Sequence, residues 1–482
     1  MDFSRVSGMS CEGGRLSKCL SAVHPQQPKA VAHEDSQTTR SCRLPWQNRV
    51  KTAAQTVFRK AGHSPLKTYN RSVETQFSGK GSMKGLFLGA GASYECGMPL
   101  VWEFTNVLRT NVLKRLDSNL FDFRSDPSFR IRFEAILSDP DIHYEQIIGE
   151  LEKIQLERGP SSEIASSILR QLIDCVQILL LEDQVLTTKL LSEKVKDYSG
   201  IKRLLARHSC LHVFSLNHDI NFEEICKFYG VQCRDGFFEP AVERYLNIAN
   251  FKSLTKEQLS EGDLNFFNPE EVGVNLIKLH GSLDMFAVED KNLYLKCAPP
   301  AEAPIGGHVQ EIRRIEDHSL ELIQRLKIRS VGELDVTDKN GEIQFLRRSL
   351  LSGAHKFKGT FDQIAPIAFF EEFKNRMSAI TELDVIGYGF GDHHINEVLQ
   401  QWLNAPNVSI NIYDPFCKAT PIVLAGGADR VFIHNSGLTD YFQKFDSLKP
   451  SLLSSTRKKI FELARERLRQ KRLSLWQANA KT

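Results

Sequence analysis

Residues 84–99 read KGLFLGAGASYECGMP, a short apolar strand that runs straight into a glycine-rich turn. Gly89 and Gly91, with Ser93 after them, let a backbone approach a ligand closely, and the amides that open the next helix would face a phosphate charge. The same pattern occurs in strand-to-helix turns that hold no ligand. A dehydrogenase-type fingerprint also asks for an acidic residue about 20 positions further on. Glu103 comes too early for that role, so hydride transfer is disfavoured.

The pattern of that first unit continues along the chain. From Met83 onward, runs at 86–88, 211–215, 276–279, 383–388, 408–413 and 431–434 read as strands separated by helical stretches. This predicts an α/β fold: a Rossmann-like parallel sheet with helices on both faces and a large helical insertion lobe at about 101–207. A second insertion, about 292–363, opens with a proline-rich loop and carries a predicted helix over 309–325. All but the last strand end in a polar or glycine-rich turn, where an open parallel sheet places its ligand.

Composition narrows the class. No uninterrupted apolar run reaches about 18 residues, so no membrane span is predicted. Ten scattered cysteines without a C-x-x-C pair suggest neither a zinc site nor a disulfide framework, and fit reduced thiols in a cytoplasm. The net charge of +3 hides an asymmetry, because residues 1–82 carry +8 and residues 83–482 carry −5. Segment 1–82 therefore reads as a disordered arm, a transit peptide, or an extension ahead of a natural start at Met83. In the tail, 441–482, eight Lys/Arg and two Glu crowd into 457–472, with Phe461, Ala464, Leu468 and Leu475 at helical spacing. A solvated terminal helix is the plain reading; the apolar stripe would also suit a neighbouring subunit. The charge admits nucleic acid, although interleaved aromatics are scarce.

The remaining turns each allow two readings. In Ser215-Leu216-Asn217-His218-Asp219 an amide and a carboxylate two apart can face one ligand, or Asp219 can form an Asx turn before a helix near Asn221. In Lys278-Leu279-His280-Gly281-Ser282 the histidine is suited to proton transfer, or is structural. Gly387, Gly389 and Gly391 permit close contact, and Asp392 is equally a helix N-cap; a fifth turn holds Asp414.

In combination, GAGAS, then SLNHD, then KLHGS, then GYGFGDHHIN resemble the sirtuin superfamily, in particular its bacterial sirtuin-like branch of antiphage defence. The resemblance spans roughly 83–440 apart from the insertions, and leaves 441–482 as a basic helical tail. It implies NAD+ bound as substrate, with no metal. The phosphate loop falls on Gly89, Ala90, Gly91 and Ser93, the catalytic set on Asn217, Asp219 and His280. Gly387 and Gly389 fall against the phosphates and ribose, and Asp414 falls near the adenosine. Two departures count against acyl-lysine substrates: the zinc ribbon is missing, and Gly97-Met98-Pro99-Leu100-Val101-Trp102 replaces G-I-P-D-F-R.

What the resemblance then implies is hydrolysis of NAD+ to nicotinamide and ADP-ribose, depleting NAD in a bacterial cytoplasm during abortive infection. A large homo-oligomer with a HerA-like hexameric ATPase partner is implied in the same way. In chemical terms, breaking the nicotinamide–ribose bond builds oxocarbenium character, so the site must orient the ribose and a water. Asn217 would hold both, His280 would accept a proton from a hydroxyl or the water, and Asp219 would orient the nicotinamide end or Asn217. The alternatives are a non-catalytic NAD or ADP-ribose binding module and an NAD-dependent deacylase.

Overall fold

Every residue of the first strand, β1 (Lys84–Leu88), is buried. Leu86 and Leu88 join one hydrophobic cluster and Phe87 another, as in a strand covered on both faces. The second strand, β2 (Cys210–Ser215), repeats the arrangement with Leu211 and Val213 against Phe214. The chain divides into two units, Met1–Gly81 and Ser82–Thr482. The computed structural model describes residues 83–478 of the second, apart from 158, 241–244, 246–247, 289–291, 328–332, 351–363 and 447–451. The expected arm 1–82 lies outside the described residues.

The further strands are β3 (Cys233–Arg234), β4 (Phe251–Thr255), β5 (Gly273–Lys278), β6 (Gly281–Val288), β7 (Leu293–Cys297), β8 (Glu333–Thr337), β9 (Ile343–Leu350), β10 (Glu382–Ile386), β11 (Ser409–Tyr413) and β12 (Val431–His434). Seven form a parallel sheet in the order β12-β11-β10-β1-β2-β5-β3. The chain works outward from β1 through β2 to β5, then returns to lay β10 on the other side of β1 and works out again to β12. That reversal makes the carboxyl ends of β1 and β10 a topological switch point, where a ligand crevice forms. The six predicted strands are β1, β2, β5, β10, β11 and β12.

A second sheet was not expected. Strands β4-β7-β6-β9-β8 pair antiparallel; β7, β8 and β9 fall in the second insertion, for which the sequence predicts only a loop and one helix, and that helix is present as Gly307–Leu326. β6 starts only three positions after β5 ends, directly out of the His280-Gly281 turn, and it is buried along its whole length. Its Asp284 is paired with the buried Lys296 of β7, which also meets Glu223 and Asp235. β8, Glu-Leu-Asp-Val-Thr, alternates polar and apolar residues, yet Asp335 is buried along with Leu334 and Val336, and its N–H donates to Ser319 Oγ at 2.9 Å.

The insertion lobe between β1 and β2 is helical, with helices Val101–Asp117, Ser128–Ser138, Tyr144–Gln155, Pro160–Lys194 and Gly200–His208. The long helix Pro160–Lys194, with the turn that continues it to Tyr198, is the one stretch among the described residues long and apolar enough to cross a bilayer. It is a core helix, because Ile164, Ile168, Leu172, Val176 and Leu179 are buried inside the protein. The terminal helix Leu452–Ala478 corrects the expectation of a solvated tail. It packs on the long helix and on Val101–Asp117, with Phe461 only 6% exposed under the Lys194 ammonium.

Candidate functional site

A cavity of about 610 Å³ opens at the switch point, and all ten residues singled out from the sequence line it: Gly89, Ala90, Gly91, Ser93, Asn217, Asp219, His280, Gly387, Gly389 and Asp414. A larger cleft, about 1190 Å³, lies against Cys233, Asp235 and Lys252. It takes no residue from the turns after β1, β2, β10 or β11, so the smaller cavity is the candidate site.

The two glycine turns interlock. Gly89 N–H donates to Ile386 O (3.0 Å) and Gly91 N–H to Gly387 O (2.9 Å), while Gly387 N–H donates to Tyr413 O (3.0 Å). A Cβ on Gly91 would sit 2.7 Å from the Gly387 Cα, and one on Gly387, whose φ is +61°, would sit 2.5 Å from the Ala92 nitrogen. These glycines are required because two backbones touch. Of the helix-start amides expected to face a phosphate, that of Ala92 already serves the turn, as do those of Gly89 and Gly91. Gly389 and Gly391 border open space and are the glycines a ligand can approach.

Asn217 ties the turn after β2 to this pair. Its Nδ2 donates to Gly89 O (2.9 Å) and to Ser93 Oγ (3.0 Å). Both amide hydrogens are thereby used, which leaves the side-chain carbonyl oxygen as the atom able to accept from a ligand hydroxyl or a water. Asp219 is 6% exposed, forms the Asx turn to Asn221 N (3.1 Å), and accepts from Ser93. Burial pushes its carboxyl above the usual range, against the pull of Lys278 and Ser93. It acts on Asn217 through Ser93. Two residues the sequence reading passed over hold this turn from below. The Lys278 ammonium donates to Asp219 O, and the buried Gln184 of the long helix accepts from Ile220 N (3.2 Å) and donates to Asn221 Oδ1 (2.8 Å).

His280 follows β5, and its Nε2 meets Asp392 Oδ2 at 3.1 Å. Asp392 is also the predicted N-cap, since its Oδ1 accepts from His394 N (3.1 Å) and Ile395 N (3.3 Å). One carboxylate therefore starts the helix His393–Leu403 and orients the imidazole. In the tautomer that donates Nε2–H to Asp392, the ring's acceptor atom is Nδ1. The turn around it is strained but braced: Phe390 has φ of +55°, and its carbonyl accepts from Asn396 Nδ2 at 2.8 Å.

The sequence reading missed Glu145 and His218. Glu145 begins the helix Tyr144–Gln155 of the insertion lobe, and its donor atom lies within 4.8 Å of those of His218 and His280. Two imidazoles and one carboxylate suit proton transfer, and they are also a divalent-cation donor set. His218 stood in the quoted SLNHD, whereas nothing local marks Glu145 on an amphipathic helix. Elsewhere on the wall, Asp414 accepts from Phe416 N (2.7 Å), and the Phe416 ring is 75% exposed beside it.

No family model and no curated protein matches the chain. Among solved structures, one described as "The Structural basis of Sirtuin Substrate Affinity" is similar at 11% identity and a TM-score of 0.32, covering 76% of this chain and 93% of that chain.

Proposed function

We propose that the protein is an NAD+ glycohydrolase that cleaves NAD+ to nicotinamide and ADP-ribose. The observation that carries this reading is the convergence of Asn217, His280 and Glu145 on one cavity beside the open glycine turn of Gly389 and Gly391. The diphosphate would lie along that turn, and the exposed face of Phe416 would receive the adenine near Asp414. Nicotinamide leaves as a neutral amide with the bonding electrons, so departure needs little acid catalysis. A water then adds to the ribose carbon and its proton passes to His280 Nδ1, whose imidazolium the Asp392 carboxylate stabilises. The Asn217 carbonyl oxygen positions the water or a ribose hydroxyl, and Glu145 faces the developing positive charge.

A second reading, binding without turnover, is favoured by one observation: the Asn217 amide hydrogens are committed to the protein itself. Separating nicotinamide from ADP-ribose after incubating purified protein with NAD+ decides between them. The proposal extends to NAD depletion in antiphage defence and to a homo-oligomer working with a HerA-like ATPase. A monomer in solution that hydrolyses NAD+ at full rate without the ATPase would contradict the assembly.

A further inference from the structure

The cavity that would receive a dinucleotide is acidic. Seven carboxylates line it, against two permanent cations among the described residues, Lys458 and Arg465. Both cations belong to the helix Leu452–Ala478 and stand seven positions apart, on one face. The amides of Gly89, Gly91 and Ala92 are taken up within the turn and add nothing to that counter-charge.

This helix is fastened to its own chain. Arg472, 3% exposed, is ion-paired with the buried Asp183 and donates to Gly97 O at 2.8 Å. Arg469 meets Glu103 at 3.2 Å, and Arg457 meets Asp197 at 2.9 Å. Between these anchors the Arg465 guanidinium lies over the Tyr94 ring, 5.1 Å from its centroid. Tyr94 directly follows Ser93, so the cation–π contact parks the guanidinium beside the glycine turn. Lys458 is less committed to the cavity, being 63% exposed and 3.5 Å from Asp440.

We infer that Arg465 is a ligand-binding residue that pairs with the diphosphate of the dinucleotide, with Lys458 as a weaker second cation, and that the terminal helix is a wall of the site. The inference rests on the dinucleotide reading above. A planar guanidinium with several N–H donors matches two phosphate oxygens at once, which the single lysine point charge does not.

The test is calorimetric titration of the full chain with ADP-ribose and, separately, with adenosine, at two salt concentrations. Arg465→Gln is expected to weaken ADP-ribose binding about 10- to 100-fold while adenosine binding is unchanged. Arg465→Lys is expected to recover part of the loss. Wild-type affinity for ADP-ribose should fall with added salt more steeply than that of Arg465→Gln. In turnover the variant should raise KM with little change in kcat, as for a contact made equally in ground and transition states. Wild type that binds ADP-ribose, with Arg465→Gln binding it equally, overturns this inference alone. Wild type that binds neither ADP-ribose nor NAD+ overturns the dinucleotide reading and this one with it. If Arg465→Gln does not fold, as judged by lost adenosine binding, the wild-type salt dependence decides: an affinity for ADP-ribose indifferent to salt contradicts a guanidinium–diphosphate contact.

Discussion

The floor and the roof of the cavity are built differently. The floor consists of turns that leave adjacent parallel strands, and its groups are bonded to one another: Asn217 to Gly89 and Ser93, Asp219 to Ser93, the Asp219 carbonyl to Lys278, and His280 to Asp392. The roof comes from the insertion lobe and the terminal helix, which bring Glu145 and Arg465 to the same space from distant parts of the chain. The difference teaches a division of labour. A sheet edge can hold reacting groups to the geometry that chemistry demands, while added helices set charge and access without disturbing it.

The largest effects should come from the floor. Asn217→Ala or His280→Ala is expected to lower kcat for NAD+ cleavage by about 10³-fold or more, the scale of a lost general base or positioning group. Far-UV circular dichroism should be unchanged. Normal turnover by both variants would remove the floor from the chemistry.

Next comes the anchor of the roof. Arg472→Ala leaves the Asp183 carboxylate buried without its partner, which costs about 3–5 kcal/mol of stability in denaturant unfolding. Burial already pushes the Asp183 carboxyl up to about 6, even with Arg472 beside it. Protonation relieves the unpaired charge, so the variant should lose less stability at pH 5 than at pH 8. An equal loss at both would mean that the ion pair is not what holds the helix.

Glu145→Gln tests whether the roof reaches the reacting centre. It should lower kcat about 10- to 50-fold, with ADP-ribose affinity retained. Chelators should leave the wild-type rate unchanged; a loss restored by added Zn2+ would reassign Glu145, His218 and His280 to a cation. The smallest effect concerns the floor again. Burial, with Arg376 beside it, lowers the pKa of His212 in β2 to about 3. The unfolded chain takes up that proton near pH 6.5 and the folded one only near 3, so the stability is present above 6.5 and lost as pH falls. At pH 5.5 the loss is about 1.4 kcal/mol, one pKa unit of linkage. His212→Gln should flatten the curve there.

The floor was largely legible in the sequence for a physical reason. In a parallel sheet, strand, turn and helix follow one another locally, so GAGAS, SLNHD and KLHGS each announce both a strand end and a candidate site. What the turns do for one another was not legible: Gly91 and Gly387 are 296 positions apart, and only the fold shows that one glycine exists for the other. Of the roof, only the basic, amphipathic stretch at 457–472 was legible, and not its place in the site. Glu145 and Arg465 sit on helices whose polar residues look like any solvated face, and their roles come from packing contacts such as Arg472 on Gly97. The second sheet escaped notice because β6 is a continuous buried run following β5 at once.

Incubation of the purified full chain with NAD+ alone, with nicotinamide and ADP-ribose separated and quantified, tests the central claim most directly. The two products should appear in equal amounts in wild type and be absent from Asn217→Ala. NAD+ that binds and remains intact, or that is consumed only with an acyl-lysine peptide to give acyl-ADP-ribose, would contradict it.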